Sequence, residues 1–544
     1  MTTYLTIKFD EKETAKQEAR AAGTYISFDF NKKKWYWEGD EKNLPPVLAK
    51  YFVATTPAME ASNNEPDICY SAEQQAVIDA AKQGLSVAVN ACAGSGKTRT
   101  IVGVANELEK LGKRGHVFYF GAANAKEGRE KLPASARCST FHAKAYWQLD
   151  DSYRSRITRV TPAFFAKRFD REHTVVSDAL STIDRFCKSS AEDITRKHIK
   201  TNTKTELKPL DVIRVLALAK TIWTEQINPH SDVPISHGTY LKMWALSHPV
   251  LNVDYIMVDE FQDTSPVNIG IIQNHIDAGI QLIVVGDKNQ SIFQFTGAVN
   301  AFNAIKLEKQ LRLTRSFRNG QQIVNLAAKV LNRFAKQKNS NEAFTGLDNG
   351  AKICRLTKPQ AFISRTNAEL IARVLLEVKH NRKAFIVGGA DNLYKLIEGC
   401  KDLKEGRKTN HSELAVFSDW EELLSYANTD IGSDLKPLVT MIIKRGCTVL
   451  LEAIDKMKYT RKAEADIILT TAHKAKGLEF NSVKLAADFR FDKKSNANLN
   501  NNDTLTTQGK NLMYVAITRT LGDLDVSEVG YLQPLLKQKN KAST

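Results

Sequence analysis

Cysteine is sparse and unpaired in this chain. Its seven cysteines are scattered through 544 residues with no Cys-x-x-Cys pair and no nearby histidine cluster, so neither a zinc site nor a disulfide framework is indicated. Long apolar runs are also missing. No stretch approaches the roughly 18 apolar residues that a membrane-spanning helix needs, and the opening segment Met1 to Asp10 has no long apolar core. The expectation is a soluble, cytoplasmic protein with no membrane partner. Acidic charge is in deficit: Lys and Arg number 77 against 61 Asp and Glu, a formal net charge of +16, which points to a polyanionic partner. No second glycine-rich loop and no nuclease motif follows residue 530, so a fusion of two enzymes is not expected. The hydrophobic fraction of 42% is that of a globular chain, and the length calls for roughly three or four compact units.

The chain is organised around Ala91-Cys92-Ala93-Gly94-Ser95-Gly96-Lys97-Thr98, followed by Arg99. The short β-branched run from Leu85 to Asn90 precedes it, and Arg99 to Leu108 has helical spacing, so the segment joins a buried strand to a helix. Small residues there let backbone N–H groups turn onto a di- or triphosphate, and the helix presents its positive dipole end to the same anion. Lys97 would reach the β and γ phosphates, and the Thr98 hydroxyl would ligate Mg²⁺. Ala91 stands where the usual pattern has Gly.

Tyr255 to Asp263 reads as an apolar strand ending in Asp259 and Glu260. Beside a phosphate loop, Asp259 would hold the Mg²⁺ shell and Glu260 would polarise the attacking water. A further strand, Gln281 to Val285, runs into Gly286-Asp-Lys-Asn-Gln290, which places Gln290 to sense the γ phosphate; Phe295 follows as a surface on which a base could stack. Gln74 lies shortly before the phosphate loop, and a Gln amide can both donate to and accept from an adenine edge. His116 to Asn124 and the segment ending Ser139-Thr140-Phe141-His142 read as two more strands with polar ends, the places where parallel sheets put ligand-binding residues.

Residues 1–53 read as a separate α+β unit: a strand at Tyr4 to Phe9, a helix over Glu13 to Ala22, and a hairpin of Tyr25 to Phe30 with Lys34 to Trp37. Its lysines interleave with Trp35, Tyr36 and Trp37, aromatics that either stack on unpaired bases or form the core of so small a domain. Residues 54–69 are a polar, proline-containing linker. From 143 to 250 the chain is basic and helical in pattern, 391–462 is again helical, 496–502 is asparagine-rich, and 536–544 is a tail.

The motif series then resembles one family. Gln74, the loop at 91–98, Ser139-Thr-Phe-His142, Asp259-Glu-Phe-Gln-Asp263, Gly286-Asp-x-x-Gln-Ser-Ile-Phe293, Leu313-Thr-Arg-Ser-Phe-Arg318, Thr471 to Phe480 and Tyr514-Val-Ala-Ile-Thr-Arg519 follow the order seen in superfamily 1A helicases of the UvrD/Rep type. Lys474 to Phe480 and Leu313 to Arg318 are closest to the F-box DNA helicase branch, although no F-box is evident. The amino-terminal unit resembles a small domain found in phage and plasmid DNA-processing proteins.

The resemblance implies an α/β fold of two RecA-like domains with parallel sheets: 70–142 with 251–310, interrupted by a helical insertion at 143–250, and 311–390 with 463–535, interrupted by a short helical insertion at 391–462. It implies ATP and Mg²⁺ as cofactors, Arg318 and Arg519 as arginine fingers, Phe317 as the adenine-stacking ring and Glu479 as the ribose contact. Asn124, Thr140, Phe141, His142, Phe295 and His473 are implied contacts to single-stranded DNA. Thr296 departs from the family, whose members usually carry Arg there. The implied activity is ATP-driven translocation on single strands, 3′ to 5′, and unwinding of duplex or forked DNA in replication, recombination or repair. A monomeric motor in a bacterial or phage-infected cell, working with replication or recombination proteins, is expected. An RNA or hybrid unwindase and a translocase that strips proteins from DNA are the alternatives.

Overall fold

The computed structural model describes residues 2–5, 12–22, 24–29, 34–38, 45–51, 69–199, 209–292, 301–333, 342–409, 411, 414–415, 417–428, 435–489 and 507–537. Most of the expected linker, the asparagine-rich loop, residues 538–544, and Phe295 with Thr296 lie outside the described residues. The chain forms two compact units, Met1–Cys69 and Tyr70–Thr544.

In the first unit, β1 (Thr2–Leu5), β2 (Ile26–Asp29) and β3 (Lys34–Glu38) make an antiparallel sheet with β3 central. The helix Lys12–Ala21 packs Ala15 and Ala19 against Ile26, Leu48 and Tyr51, and Trp35 lies against this core. Of the two readings of the aromatic segment, Trp35 therefore follows the structural one, with the Lys16 ammonium 5.4 Å from its ring centroid.

The second unit contains two parallel sheets. The first has the order β6-β5-β7-β8-β4-β9, from β4 (Val87–Ala91), β5 (Gly115–Phe118), β6 (Ala136–Ser139), β7 (Tyr255–Val258), β8 (Gln281–Gly286) and β9 (Lys309–Leu313). Every residue of β7 and β8 is buried, because both faces of the sheet are covered, which is why these strands read as continuous apolar runs. One face packs on the helices Ala72–Lys82 and Lys97–Lys110 through Val77, Ile78, Ile101 and Val104. The other packs on Phe141, Tyr240, Trp244 and Ile271.

Two expected boundaries shift. β9 pairs with β4 in register from Val87–Lys309 to Ala91–Leu313, so the first sheet extends past 310 and the second half begins after Leu313. The first insertion is also narrower than 143–250. Its own core is built by Phe165, Val176, Ile183, Phe186, Ile222 and Val233, whereas the helix His237–Leu246 buries Tyr240, Leu241 and Trp244 in the core of the first sheet.

The second half continues through a short parallel pair, β10 (Arg315–Gly320) and β11 (Thr345–Leu347). Its main sheet has the order β13-β14-β12-β15-β16, from β12 (Ala361–Ser364), β13 (Ala384–Ile386), β14 (Ile467–Thr471), β15 (Val483–Leu485) and β16 (Leu524–Asp525). The helices between Asp391 and Met457 share one core with this sheet, since Leu393, Leu396, Leu450 and Ile454 pack with Phe362, Ile371 and Leu469. They cover a sheet face that parallel strands cannot leave in water, so 391–462 is a packed layer of the second domain. Among the described residues no helix is long and apolar enough to cross a membrane.

Candidate nucleotide site

The phosphate loop leaves β4 at Ala91 and enters the helix at Lys97. Gly94 and Gly96 have φ of 74° and 79°, the left-handed region in which a Cβ is strained. A Cβ on Gly94 would stand 2.4 Å from Arg318 Cβ, and one on Gly96 would stand 2.8 Å from Gln74 Nε2, so both positions require glycine for space as well as for conformation. The loop borders a cavity of about 410 Å³ lined by Gly94 to Thr98, Asp259, Glu260 and Gln290 on one side and by Phe317, Arg318, Glu479 and Arg519 on the other. Elements of both sheets thus meet on one space of nucleotide size.

The first three loop residues take another role than the one the pattern assigns them. Ala91 sits in the ladder opposite Leu313, Cys92 N–H donates to Leu313 O at 2.9 Å, and Ala93 N–H donates to the Tyr514 hydroxyl at 3.0 Å. With Cys92 and Ala93 N–H engaged by protein, the phosphate cradle begins at Gly94. Burial and the Asp287 carboxylate push the Cys92 thiol well up, so it is not a reactive thiolate.

Lys97 Nζ lies 3.2 Å from Glu260 Oε1. Burial acts to lower the pKa of this ammonium, but Glu260, Asp287 and Asp259 together hold it above the ordinary lysine value, and Lys97 is a fixed positive charge. Burial, followed by the neighbouring Glu260, raises the Asp259 carboxyl. Burial opposes ionisation of Glu260 too, but Lys97 and Lys476 overcome it and hold that carboxyl below its usual range. One carboxylate is therefore kept charged, while on its neighbour burial and Glu260 outweigh the pull of the same two lysines. Asp259 Oδ1 is buried with no hydrogen-bond partner and shares the cavity with Thr98. An orphaned carboxylate oxygen beside a hydroxyl fits a hard divalent cation, so Asp259 and Thr98 would hold Mg²⁺.

Hydrogen bonds organise the floor. Gln262, fully buried, accepts Asp287 N–H on Oε1 at 2.8 Å, while its amide nitrogen donates to Glu260 and, at 3.1 Å, to Asp263 Oδ2. Gln290 Nε2 donates to Asp287 Oδ2 at 2.8 Å. Across the cleft, Lys476 pairs with Asp263 and donates to Gln290 O at 2.8 Å, Asn511 Nδ2 donates to Ser291 O at 3.0 Å, and Arg318 pairs with Glu479. Arg519 is 2% exposed and braced by Val515 O at 2.9 Å and Thr518 Oγ1 at 3.1 Å. Burial, then the like charge of Arg318, lowers its pKa to about 10, so it stays protonated at neutral pH. Gln262, Lys476, Asp287 and Tyr514 were not singled out from the sequence. Each lies inside a quoted motif, but only their meeting in space marks them.

The other candidates divide. Gln74 is buried, with its amide engaged at both ends: Ser71 N–H donates to Oε1 at 3.0 Å in a capping box, and Nε2 donates to Ser95 O at 3.3 Å. It braces the loop through one acceptor and one donor of that amide. Phe317 keeps 43% of its surface exposed, as a ring waiting for a base would. Arg99 lies over the Tyr70 ring at 5.6 Å, on the helix flank outside the cavity wall. Asn124, expected on DNA, stands on the nucleotide cavity. Thr140 caps the helix Phe141–Gln148 by accepting Ala143 N–H at 3.0 Å, and Phe141 stacks on Phe118 with centroids 4.0 Å apart; both are engaged in the fold. His142 remains exposed on a second cavity of about 350 Å³ between the first sheet and the insertion, with Lys188 and Asp184 opposite and with Tyr119 and Asp259 shared with the nucleotide cavity. His473 is half-buried in the short helix after β14, where burial and the Arg365 charge lower its pKa.

Comparison with known proteins agrees with this geometry. Residues 242–312 match the UvrD/REP helicase N-terminal domain. The chain is 27% identical over 518 residues to F-box DNA helicase protein 1 of Schizosaccharomyces pombe, an alignment covering 85% of this chain and 58% of that protein. It is 28% identical over 470 residues to F-box DNA helicase 1 of Gallus gallus, covering 79% and 45% respectively. ATP-dependent DNA helicase PcrA of Staphylococcus aureus is 29% identical over 137 residues, 24% of this chain and 18% of PcrA. The chain spans about half the length of the two F-box helicases. The chain is thus similar to helicases of the UvrD/Rep type, and its fold carries two parallel-sheet domains of the RecA-like kind.

Proposed function

We propose that this chain is a DNA helicase that hydrolyses ATP with Mg²⁺ and moves along single-stranded DNA, 3′ to 5′, unwinding tailed or forked duplex. The observation that carries the reading is the composition of one cavity. Its loop, lysine and carboxylates come from the first sheet, and two arginines and a carboxylate come from β10 and the second half. A site split between two bodies transmits to both whatever happens to the phosphates within it.

In this reading Gly94 to Thr98 and Lys97 hold the phosphates. Bound Mg²⁺ would neutralise charge on the β and γ oxygens. Glu260, kept ionised by Lys97 and Lys476, accepts a proton from the attacking water, and Gln290, fixed by Asp287, orients it. Arg318 leaves Glu479 for the γ phosphate as the cleft tightens. Release of phosphate removes the anion that the two halves share, and the cleft relaxes. That cycle moves a strand lying across both domains, on which His142 and His473 are the proposed contacts. Similarity to F-box DNA helicases and to an ATP-dependent DNA helicase supports DNA as the track.

Unwinding of 3′-tailed, 5′-tailed and forked duplexes with ATP tests the proposal. We expect the 3′-tailed and forked substrates to open and the 5′-tailed one to stay closed. Opening of the 5′-tailed duplex alone would reverse the polarity, and DNA-stimulated hydrolysis with no unwinding would favour a protein-stripping translocase.

A second expectation concerns the amino-terminal unit. The cavity draws every wall residue from beyond Tyr70, so deleting residues 1–60 should leave DNA-stimulated hydrolysis on long single strands within about twofold, a surface-scale change. Loss of hydrolysis in a deletion that stays folded would make this unit part of the motor.

A further inference from the structure

Tyr514 lies on the helix Thr507–Ile517 of the second half, five positions before Arg519, and is 1% exposed. Its hydroxyl reaches out of its own domain. It accepts Ala93 N–H of the phosphate loop at 3.0 Å and donates to Asp287 Oδ2 at 2.9 Å. The same Oδ2 accepts Gln290 Nε2 at 2.8 Å, and Asp287 Oδ1 accepts Asn289 N–H at 3.0 Å. A continuous path of hydrogen bonds therefore runs from the loop through one hydroxyl of the opposite domain to Gln290, which lines the nucleotide cavity. The ring is held in a core that contains residues from both halves, Ala93 and Ile292 with Met513 and Ile517, so the hydroxyl has a single seat.

A phenol in that seat does more than fill space. Withdrawal of Tyr514 with the second domain takes one hydrogen-bond partner from a buried N–H and one from a buried carboxylate of the first domain. The helix that carries Tyr514 ends at Ile517, two residues before Arg519, which lines the cavity, so the docking that places one places the other.

We propose that Tyr514 is a positioning residue that couples docking of the second domain to hydrolysis, its hydroxyl fixing Asp287 and through it Gln290 at the moment Arg519 enters the site. This rests on the proposed ATPase function. With the hydroxyl present, Gln290 has one orientation and the loop one register in the closed cleft. Without it, Asp287 loses a charge-assisted donor, and Gln290 turns among several rotamers.

The test is Tyr514→Phe, which keeps the ring in its core and deletes only the hydroxyl, alongside Asp287→Asn and the double variant, assayed on the full chain with a single-stranded DNA oligonucleotide. Loss of one buried hydrogen bond to a charged group predicts a fall in kcat of about tenfold or more with KM for ATP within about twofold. The double variant should be no slower than the worse single one, since both changes cut the same path. Thermal unfolding of each variant, read in parallel, confirms that it is folded. Wild-type kcat retained in folded Tyr514→Phe, a rise in KM with kcat unchanged, or multiplicative effects in the double variant would each overturn the role. Absence of hydrolysis in the wild type would instead overturn the functional reading itself, so the two failures are distinct. If Tyr514→Phe does not fold, Asp287→Asn read against Gln290→Ala decides by the same criterion of non-additivity.

Discussion

Lys97→Ala should abolish ATP hydrolysis, lowering kcat by about a hundredfold or more, the scale seen when a preorganised charge is removed from a transition state. Single-stranded DNA affinity should change only a few fold. The ammonium sits 3.2 Å from Glu260 and in the field of Asp259 and Asp287, so it performs two tasks at once: it meets the phosphates and keeps the acidic floor from repelling them. Deleting it leaves two buried carboxyl groups and the partly buried Glu260 without that positive charge as a polyanion approaches. The residues proposed to touch DNA, His142 and His473, are untouched by the change. Steady-state hydrolysis with saturating oligonucleotide and fluorescence anisotropy on the same oligonucleotide separate the two effects, and near-normal turnover would end the assignment of the site.

Arg318→Ala and Arg519→Ala should each reduce kcat by about 10³ with a much smaller change in KM for ATP, because an arginine finger acts on charge that develops in the transition state. The two differ in what else they disturb. Arg318 is paired with Glu479 at the cleft edge, and its loss frees a carboxylate that water can solvate. Arg519 is buried and braced by Val515 of the helix that precedes it, so its truncation also leaves a cavity. Arg519→Lys is therefore the cleaner variant there: it keeps the charge but loses the planar fork, and kcat should still fall. A defect confined to KM in either position would contradict the role.

Local chemistry was legible in the sequence. The loop and the strand ending in Asp259 and Glu260 could be read because a phosphate cradle and a buried parallel strand each depend on neighbours along the chain: glycines in the left-handed region, β-branched runs, and a lysine at the start of a helix; Arg318 and Arg519 came only from the family resemblance. The order of the motifs, matched to a family, supplied the two-domain plan. Several candidate residues are engaged elsewhere in the fold, among them these four. Ala93 fits the loop pattern, yet its N–H is turned away by a hydroxyl from 421 positions along the chain. Thr140 and Phe141 sit in a family motif, yet one caps a helix and the other fills a core. Asn124 reads as a strand-end polar residue on DNA and lines the nucleotide cavity.

What only the tertiary structure decided is partnership. β9 looks like the opening of a second domain until its pairing with β4 is seen. The helices from Asp391 to Met457 look like a separate insertion until their apolar faces are found in the core of the second sheet. Tyr514, Lys476 and Gln262 lie within recognisable motifs, but nothing local says that their polar atoms reach Asp287, Asp263 and Glu260. Periodicity and composition report which face of an element must leave water. They carry no term for which distant polar group a buried hydroxyl or amide must satisfy once the two domains close on one another, and that obligation is set by packing alone.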